Sequence, residues 1–203
     1  MIVGIDLAGV ESRPTGFCVL HGMYAATCLL HTDREIVERT IGVNPRAVAI
    51  DAPLALPKGR MSLEERSNIH LRQCDKELMK MRIKLFPITL GSMRKLTERG
   101  IGLRKSLEKR GFKVIETYPG AAQDILKIPR KKEGLEKLRE RLEKLGVKKL
   151  DDSMTGDELD AVTCALVGKM YVEGKYIAIG DPKEILMILP KNHRSINNVT
   201  KKE

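Results

Sequence analysis

The chain has 203 residues, of which 42% are hydrophobic, so we expect a substantial core in one domain over residues 1–190. Its formal net charge is +10, and its longest apolar stretches are too short to cross a bilayer, so we expect neither a membrane span nor a membrane partner. Aromatic residues make up only 3% of the chain and tryptophan is absent, which argues against a base-stacking platform for single-stranded nucleic acid.

Cysteine and histidine residues are scattered rather than clustered. The four cysteines form no CxxC pair, which predicts reduced structural thiols in a cytoplasmic protein. The four histidines are equally dispersed, which argues against a zinc site. No basic start is followed by an apolar stretch and a small-residue cleavage site, so we predict no secretory signal.

Hydrophobic runs and turn residues predict, in chain order, a three-stranded meander, a helix, a strand, a long insertion, another strand and several helices. Strands are expected at 2–6, 16–21, 23–30, 47–51 and 112–117, and a closing hairpin at 176–179 and 185–189. Helices are expected at 33–41, 62–81, 92–110, 133–145 and 157–172, with a short helix opening at Pro119. The insertion covers residues 52–111, and residues 191–203 are expected to form a disordered tail.

Acidic residues close three of the predicted strands, namely Asp6, Asp51 and Glu116. If these strands run parallel, their carboxyl ends lie about 4.8 Å apart along one edge of the sheet, where open α/β sheets place their chemistry. Carboxylates that converge there need a neutralising cation, which predicts a hard-metal site. Taken singly, Asp6 and Asp51 are equally compatible with turn stabilisation. Glu116 either binds the metal or pairs with a cation from the insertion.

Two further carboxylates lie at the start of the last long helix. Thr155 and Glu158 match a capping box, so Asp157 has an ordinary interpretation as an acid near a helix N-terminus. Asp160 lies on a face of small residues, which allows a helix to approach a sheet closely: Ala161, Cys164, Ala165 and Gly168. Because Asp157 projects from nearly the same face, we expect both carboxylates to point at the sheet.

Basic residues concentrate in segments 94–113 and 127–149, with glutamates interspersed. This pattern is typical of solvated helix faces with ion pairs, and equally of a surface that binds a polyanion such as nucleic acid. Six basic residues of the insertion are candidates for phosphate contact: Arg60, Arg66, Arg72, Arg94, Lys95 and Arg99. Arg72 also stands at ion-pair spacing from Asp75, which is the favoured interpretation of Asp75.

The order of the acidic motifs resembles the ribonuclease H-like superfamily, particularly its RuvC-type resolvases. Five ordered motifs are similar to the predicted-nuclease family catalogued as domain of unknown function 429. They are Gly4-Ile-Asp-Leu-Ala-Gly9, Ile50-Asp-Ala-Pro-Leu-Ala-Leu-Pro57, Arg72-Gln-Cys-Asp75, Glu116-Thr-Tyr-Pro-Gly-Ala121 and Asp157-Glu-Leu-Asp-Ala161. The match spans about residues 1–190, and Gly156 departs from it, since the family often carries a histidine there.

The resemblance implies an α/β, ribonuclease H-like fold. Its mixed five-stranded sheet, a three-strand antiparallel meander plus parallel strands, would be flanked by helices, with a helical insertion and a C-terminal hairpin. It also implies hydrolysis of phosphodiester bonds in DNA or RNA, assisted by one or two Mg²⁺ or Mn²⁺ ions. Asp6 would bridge two ions, Asp51 and Asp160 would each complete one site, and Asp157 or Glu116 would adjust the surroundings. A homodimer is compatible with this resemblance.

Two other classes of function stay open. One is a non-catalytic module that binds nucleic acid or protein and retains the fold. The other is a phosphotransferase of the actin and sugar-kinase type, whose fold also starts with a Gly-x-Asp strand. The length of this chain, and its lack of a second glycine-rich phosphate hairpin, argue against the phosphotransferase.

Overall fold

The computed structural model describes residues 1–191, and in this range the strands form a mixed seven-stranded sheet. The strands are β1 (Ile2–Asp6), β2 (Thr15–His21), β3 (Tyr24–Leu30), β4 (Val48–Asp51), β5 (Val114–Thr117), β6 (Tyr176–Ile179) and β7 (Met187–Pro190). The first three form an antiparallel meander, and β4, β5 and β7 follow β1 in parallel, in the order β3-β2-β1-β4-β5-β7-β6. The predicted mixed α/β sheet, an antiparallel meander followed by parallel strands, is confirmed. Residues 192–203 of the expected tail lie outside the described residues.

The C-terminal hairpin differs from the prediction because it is part of the sheet. β7 pairs in parallel with β5 and antiparallel with β6, so the sheet has seven strands instead of five with a separate hairpin. All four residues of β7 are buried, which requires cover on both faces and a partner on each side. The partly buried β6 forms the edge of the sheet.

Helices cover both faces of the sheet: α1 (Asp33–Val43), α2 (Gln73–Lys80), α3 (Gly91–Glu108), α4 (Pro119–Leu126), α5 (Leu135–Lys144) and α6 (Gly156–Val172). Ile36 of α1 and Leu103 of α3 pack on one face, against Val3, Ile5 and Ile50. On the other face, the buried residues of α5 and α6 pack against β1 and β2. The alternate residues of β1 and β4 therefore point to two different helical layers.

Glycines allow α6 to lie directly on the sheet. A Cβ atom on Gly4 would stand 2.1 Å from the carbonyl oxygen of Ala161, and one on Gly16 would stand 2.0 Å from that of Asp157. No side chain larger than hydrogen fits at either contact. The small-residue face predicted for α6 is buried as expected, with Ala161 and Cys164 fully inaccessible. This close approach places the first turn of α6 beside the end of β1.

The helix predicted at 62–81 is shorter than expected, because only Gln73–Lys80 is helical. The Arg60 guanidinium occupies the preceding segment, where it donates hydrogen bonds of 2.7–3.1 Å to four main-chain carbonyls, those of Ser62, Leu63, Glu65 and Ile69. Carbonyls held in this way are not available for helical hydrogen bonds. One arginine side chain therefore overrides the local helical pattern.

Two other features bear on the predictions made from composition. All four cysteines are free thiols, and three of them are buried. No helix among residues 1–191 has the length and apolar character needed to span a membrane.

Candidate active site

Two neighbouring strands hold the first two carboxylates of the site. Asp6 and Asp51 are the last residues of β1 and β4, and they are direct partners in parallel register. The preceding residues, Ile5 and Ile50, face the core under α1 and α3. Because side chains alternate along a strand, Asp6 and Asp51 point to the face that α6 covers. The structure thus brings these two aspartates together.

The first turn of α6 supplies the other two carboxylates. Thr155 caps this helix, since its Oγ1 accepts a hydrogen bond from the Glu158 amide at 3.2 Å, and Glu158 Oε2 accepts one from the Thr155 amide at 2.9 Å. The predicted capping box is therefore present. Asp157 is partly exposed, whereas Asp160 is only 6% exposed. We call Asp6, Asp51, Asp157 and Asp160 the acidic cluster.

Lys131 reaches into the acidic cluster from a short 3₁₀ turn (Lys131–Glu133) that precedes α5. Its Nζ lies 3.2 Å from Asp6 Oδ2, 2.8 Å from Asp157 Oδ1 and 3.0 Å from Asp160 Oδ2. Sequence reasoning missed this residue. It stands 125 positions from Asp6, inside a basic segment where nothing distinguishes it from its neighbours.

Gln123 of α4 is a second residue that sequence reasoning missed. It is 1% exposed, and its Nε2 donates hydrogen bonds to Asp160 Oδ1 at 2.7 Å and to Thr163 Oγ1 at 3.2 Å. These contacts fix the orientation of the Asp160 carboxylate. The sequence feature that could have identified Gln123 is its position, a polar amide directly after the small, buried residues that begin α4.

Negative charge exceeds positive charge in the acidic cluster. Burial raises the pKa of Asp6 to about 7; the Lys131 ammonium opposes this rise, and the charges of Asp160 and Asp157 add to it. The pKa of Asp51 is also raised well above its ordinary value. Burial is the largest cause, and the negative charges of Asp6 and Asp160 raise the pKa further. Burial alone would lower the pKa of Lys131. The negative charges of Asp6 and Asp160 raise it, and the net shift of this pKa is upward. One ammonium therefore does not neutralise the four carboxylates.

The donor set of the acidic cluster fits a hard divalent cation, because it consists of carboxylate oxygens with unneutralised charge. Within residues 1–191, no three acidic, histidine or cysteine side chains are arranged as a ready-made metal site. The Lys131 ammonium lies among the carboxylates and acts there as the counter-cation. The residues fit Mg²⁺ or Mn²⁺ when the Lys131 ammonium moves away from the carboxylates.

Glu116 does not join the acidic cluster. Its register partner is Ile50, so its side chain leaves the sheet on the opposite face from that of Asp51. Glu116 Oε2 lies 2.6 Å from Arg72 Nη1, and Arg72 Nη2 lies 2.9 Å from Asp75 Oδ1. Of the two interpretations, the structure favours the ion pair with the insertion. We call Arg72, Asp75 and Glu116 the buried triad.

An open groove of about 700 Å³ adjoins the acidic cluster. Asp6, Asp157 and Lys131 line one side of it, and Arg13 and Lys95 contribute further positive charge. Lys95 was predicted as a phosphate contact, whereas Arg13, which lies in the loop between β1 and β2, was missed. Both basic side chains are exposed.

Three of the six basic residues predicted to contact phosphate are instead buried and bound to other parts of the protein. Arg72 is 1% exposed in the buried triad, and Arg60 is held by main-chain carbonyls. Arg99 is 9% exposed and binds Asp33 Oδ1 at 2.7 Å and the carbonyl of Ala8 at 2.8 Å. These guanidinium groups are tied to the protein, so they hold loops together rather than meet a ligand. Arg66 and Arg94 line a different surface cavity.

Fold and site define an α/β protein with a mixed seven-stranded sheet and a cluster of carboxylates at the carboxyl edge of that sheet. The chain belongs to the family described as Protein of unknown function (DUF429), which it matches over residues 4–185, as its motifs predicted. Among solved structures it is similar to Thermus thermophilus RuvC, with a TM-score of 0.48 and 16% identity over 85% of this chain and 95% of that one. For the same protein in complex with a Holliday junction substrate, the TM-score is 0.45 at the same identity and coverage. A comparison with curated proteins gave no match.

Proposed function

We propose that this protein is a metal-dependent nuclease that hydrolyses phosphodiester bonds in nucleic acid. The observation that carries the proposal is the convergence of Asp6, Asp51 and Asp160 from three elements, with more negative charge than Lys131 offsets. Such an excess is costly unless a cation of higher charge binds. The carboxyl edge of an α/β sheet is also where ligands and catalytic groups usually lie.

Asp6, Asp51 and Asp160 are the residues that would hold Mg²⁺ or Mn²⁺, with Asp157 at the rim of the site. Bound divalent ions lower the pKa of a coordinated water and stabilise the charge that develops on the leaving oxygen of a phosphodiester. Gln123 supports this function because its amide holds one oxygen of Asp160 and leaves the other directed at the cluster. Glu116 has no part in the proposal as a ligand.

Lys131 has two positions in this proposal. In the metal-free protein its ammonium neutralises part of the acidic cluster. It also lines the groove next to Arg13 and Lys95, so an ammonium released from the carboxylates meets a phosphate there. The groove offers three cations for a polyanion, in keeping with the net charge of +10.

The test is a cleavage assay with Mn²⁺ against four substrates: a branched junction, a linear duplex, an RNA–DNA hybrid and a single strand. We expect metal-dependent cleavage of at least one substrate. Asp6→Asn and Asp51→Asn should reduce it to background without unfolding the protein, because each removes a charge needed for the metal.

The matched control is Asp152→Asn, since the Asp152 side chain is 91% exposed and belongs to no part of the site. This control should cleave at the wild-type rate. Full activity in a pure Asp6→Asn preparation would falsify the assignment. Metal binding and nucleic-acid binding without cleavage of any substrate would indicate a non-catalytic binding module instead.

A further inference from the structure

We propose that Gln123 is a positioning residue that leaves Asp160 a single oxygen for a metal ion and so makes the acidic cluster prefer Mg²⁺ or Mn²⁺ to Ca²⁺. This inference rests on the proposed nuclease function, because it concerns the ion of the same site. The two oxygens of Asp160 have different partners. Oδ1 accepts a hydrogen bond from Gln123 Nε2 at 2.7 Å, and Oδ2 lies 3.0 Å from Lys131 Nζ.

The packing of α4 on α6 brings Gln123 to Asp160. α4 begins with Pro119 shortly after β5, and its first turns consist of small, buried residues. Ala122 packs in one apolar cluster with Cys164 and Val167 of α6. The next side chain along α4, that of Gln123, is therefore enclosed between the two helices, where it is 1% exposed. A polar group buried in this way needs hydrogen-bond partners within the protein.

The partners of Gln123 fix which end of its amide faces Asp160. The Thr163 hydroxyl donates its one proton to the carbonyl of Leu159 at 3.1 Å, so it can only accept from Gln123, at 3.2 Å. An ionised Asp160 carboxylate also only accepts. Both neighbours therefore require the amide nitrogen, and both N–H groups of Gln123 are used. An amide turned the other way would lose both hydrogen bonds and leave buried groups unpaired.

This arrangement leaves one oxygen of Asp160 available to a cation. The Lys131 ammonium that contacts Oδ2 also contacts Asp6 and Asp157, so Oδ2 is the oxygen that faces the other carboxylates. An ion that took both oxygens of Asp160 would have to displace the Gln123 amide. Since Gln123 is buried, its N–H would then have neither the carboxylate nor water as a partner, which is costly.

Divalent cations differ in how they use a carboxylate. Ca²⁺ takes roughly six to eight oxygen ligands and often binds both oxygens of one carboxylate, whereas Mg²⁺ requires an octahedron and keeps several water ligands. Mn²⁺ also accepts an octahedron of oxygens. An aspartate restricted to one oxygen therefore suits Mg²⁺ or Mn²⁺ and withholds a ligand from Ca²⁺.

The donor on Asp160 is also uncharged, in contrast to the donor in the buried triad. There the Arg72 guanidinium offsets the charge of Glu116 as well as orienting it. The Gln123 amide orients Asp160 without adding positive charge, so the excess of negative charge in the acidic cluster remains for the ion. An arginine in place of Gln123 would hold the same oxygen and weaken the attraction for a cation.

Calorimetric titration of the metal-free protein with Mn²⁺ and with Ca²⁺ tests the proposal through the ratio of the two affinities. Gln123→Met keeps the length of the side chain and removes the donor. We expect its affinity for Mn²⁺ to fall about tenfold while its affinity for Ca²⁺ does not fall, so the preference for Mn²⁺ falls by the same factor. A purely structural role of Gln123 would weaken the binding of both ions alike and leave the ratio unchanged.

Thr163→Val is the matched control, because it removes the other partner of Gln123 at the same buried contact but leaves the N–H on Asp160. This variant should keep the wild-type ratio. Gln123→Glu tests the same donor if Gln123→Met does not fold. It offers an oxygen in place of the N–H, so it should lower the preference for Mn²⁺ as well.

The possible failures are distinguishable. An unchanged ratio in the Gln123 variants, or an equal loss of preference in Thr163→Val, overturns the role of Gln123 and leaves the nuclease proposal standing. A wild-type protein that binds neither Mn²⁺ nor Ca²⁺ overturns the metal site, and with it both proposals.

Discussion

The buried triad and the acidic cluster both lie at the carboxyl edge of the sheet, and their charges are neutralised to different extents. In the buried triad, one planar guanidinium faces two carboxylates at 2.6 and 2.9 Å, and all three side chains are at most 5% exposed. In the acidic cluster, one ammonium contacts three of the four carboxylates, and Lys131 and Asp157 are each about 40% exposed. The first group is closed to solvent, and the second is open.

The difference between the two groups is visible in the pKa shifts of Arg72 and Asp6. Burial lowers the pKa of Arg72, but the charges of Glu116 and Asp75 raise it well above its ordinary value, so this guanidinium stays charged. In the acidic cluster, burial raises the pKa of Asp6 to about 7, so its ionised form is poorly stabilised without a further cation. The guanidinium of the buried triad pairs with both of its carboxylates and holds the insertion to the sheet, whereas the acidic cluster keeps an excess of negative charge that a ligand can neutralise.

The largest effect should follow from breaking the buried triad. Arg72→Met leaves Asp75 and Glu116 buried without their counter-charge, and a broken buried pair costs about 3–5 kcal/mol. Urea denaturation should show this loss as a lower midpoint. Arg66→Met, at an exposed position, is the control and should stay within about 0.5 kcal/mol of wild type. A loss below about 1 kcal/mol in Arg72→Met would mean that the triad is not a stabilising unit.

The next effect concerns the acidic cluster and depends on pH. Asp6 has its pKa raised from about 3.9 in the unfolded chain to about 7 in the folded protein, so the folded state binds more protons between these values. Stability of the metal-free protein should therefore fall as the pH rises through this window. Asp6→Asn removes the titration, so near pH 8 it should be more stable than wild type, by roughly 1–4 kcal/mol.

Two further conditions sharpen this prediction. Below about pH 4 the advantage of Asp6→Asn should vanish, because the aspartate is then protonated in both states. Saturating Mg²⁺ should reverse the ranking near pH 8, since a ligand that binds only the folded state stabilises it by mass action. Differential scanning fluorimetry with and without EDTA measures both. A wild type that gains stability with rising pH in EDTA contradicts the assigned charge excess.

The same contrast explains how much the sequence could predict. Asp6 and Asp51 end apolar strand runs, and the parallel order brings them together, so local pattern and topology were sufficient. Asp160 followed from its place on the small-residue face of α6. Lys131 could not be found, because its contacts join a turn before α5 to β1 and α6, and no local pattern encodes that packing.

The insertion shows the opposite error. Arg60, Arg72 and Arg99 were interpreted as cations for a ligand, because a basic residue in a loop carries no local sign of its partner. Their partners are main-chain carbonyls and acids of distant segments, such as Glu116 for Arg72. The hairpin error has a similar origin. A strand buried on both faces was recognisable, but its neighbour in the sheet was not.

A smaller effect should show whether the Lys131 ammonium and the metal ion compete for the acidic cluster. Lys131→Met removes the ammonium that competes for Asp6 and Asp160, so calorimetry near pH 8 should show Mn²⁺ binding about tenfold tighter, or about 1.4 kcal/mol. Lys132→Met, next in the chain and exposed, is the matched control and should leave the affinity unchanged. Weaker Mn²⁺ binding in Lys131→Met would mean that the ammonium supports the metal site instead of competing for it.

The smallest effect tests the groove. Lys95→Ala and Arg13→Ala should each weaken nucleic-acid binding by a similar factor for all sequences, because phosphate contacts carry no sequence information. Each variant should also reduce the slope of log affinity against log salt by about one, measured between roughly 50 and 200 mM salt. Arg66→Ala should keep the wild-type slope, since Arg66 lines a different cavity. An equal change in all three variants would mean that the charge of the whole surface, and not the groove beside the acidic cluster, attracts the polyanion.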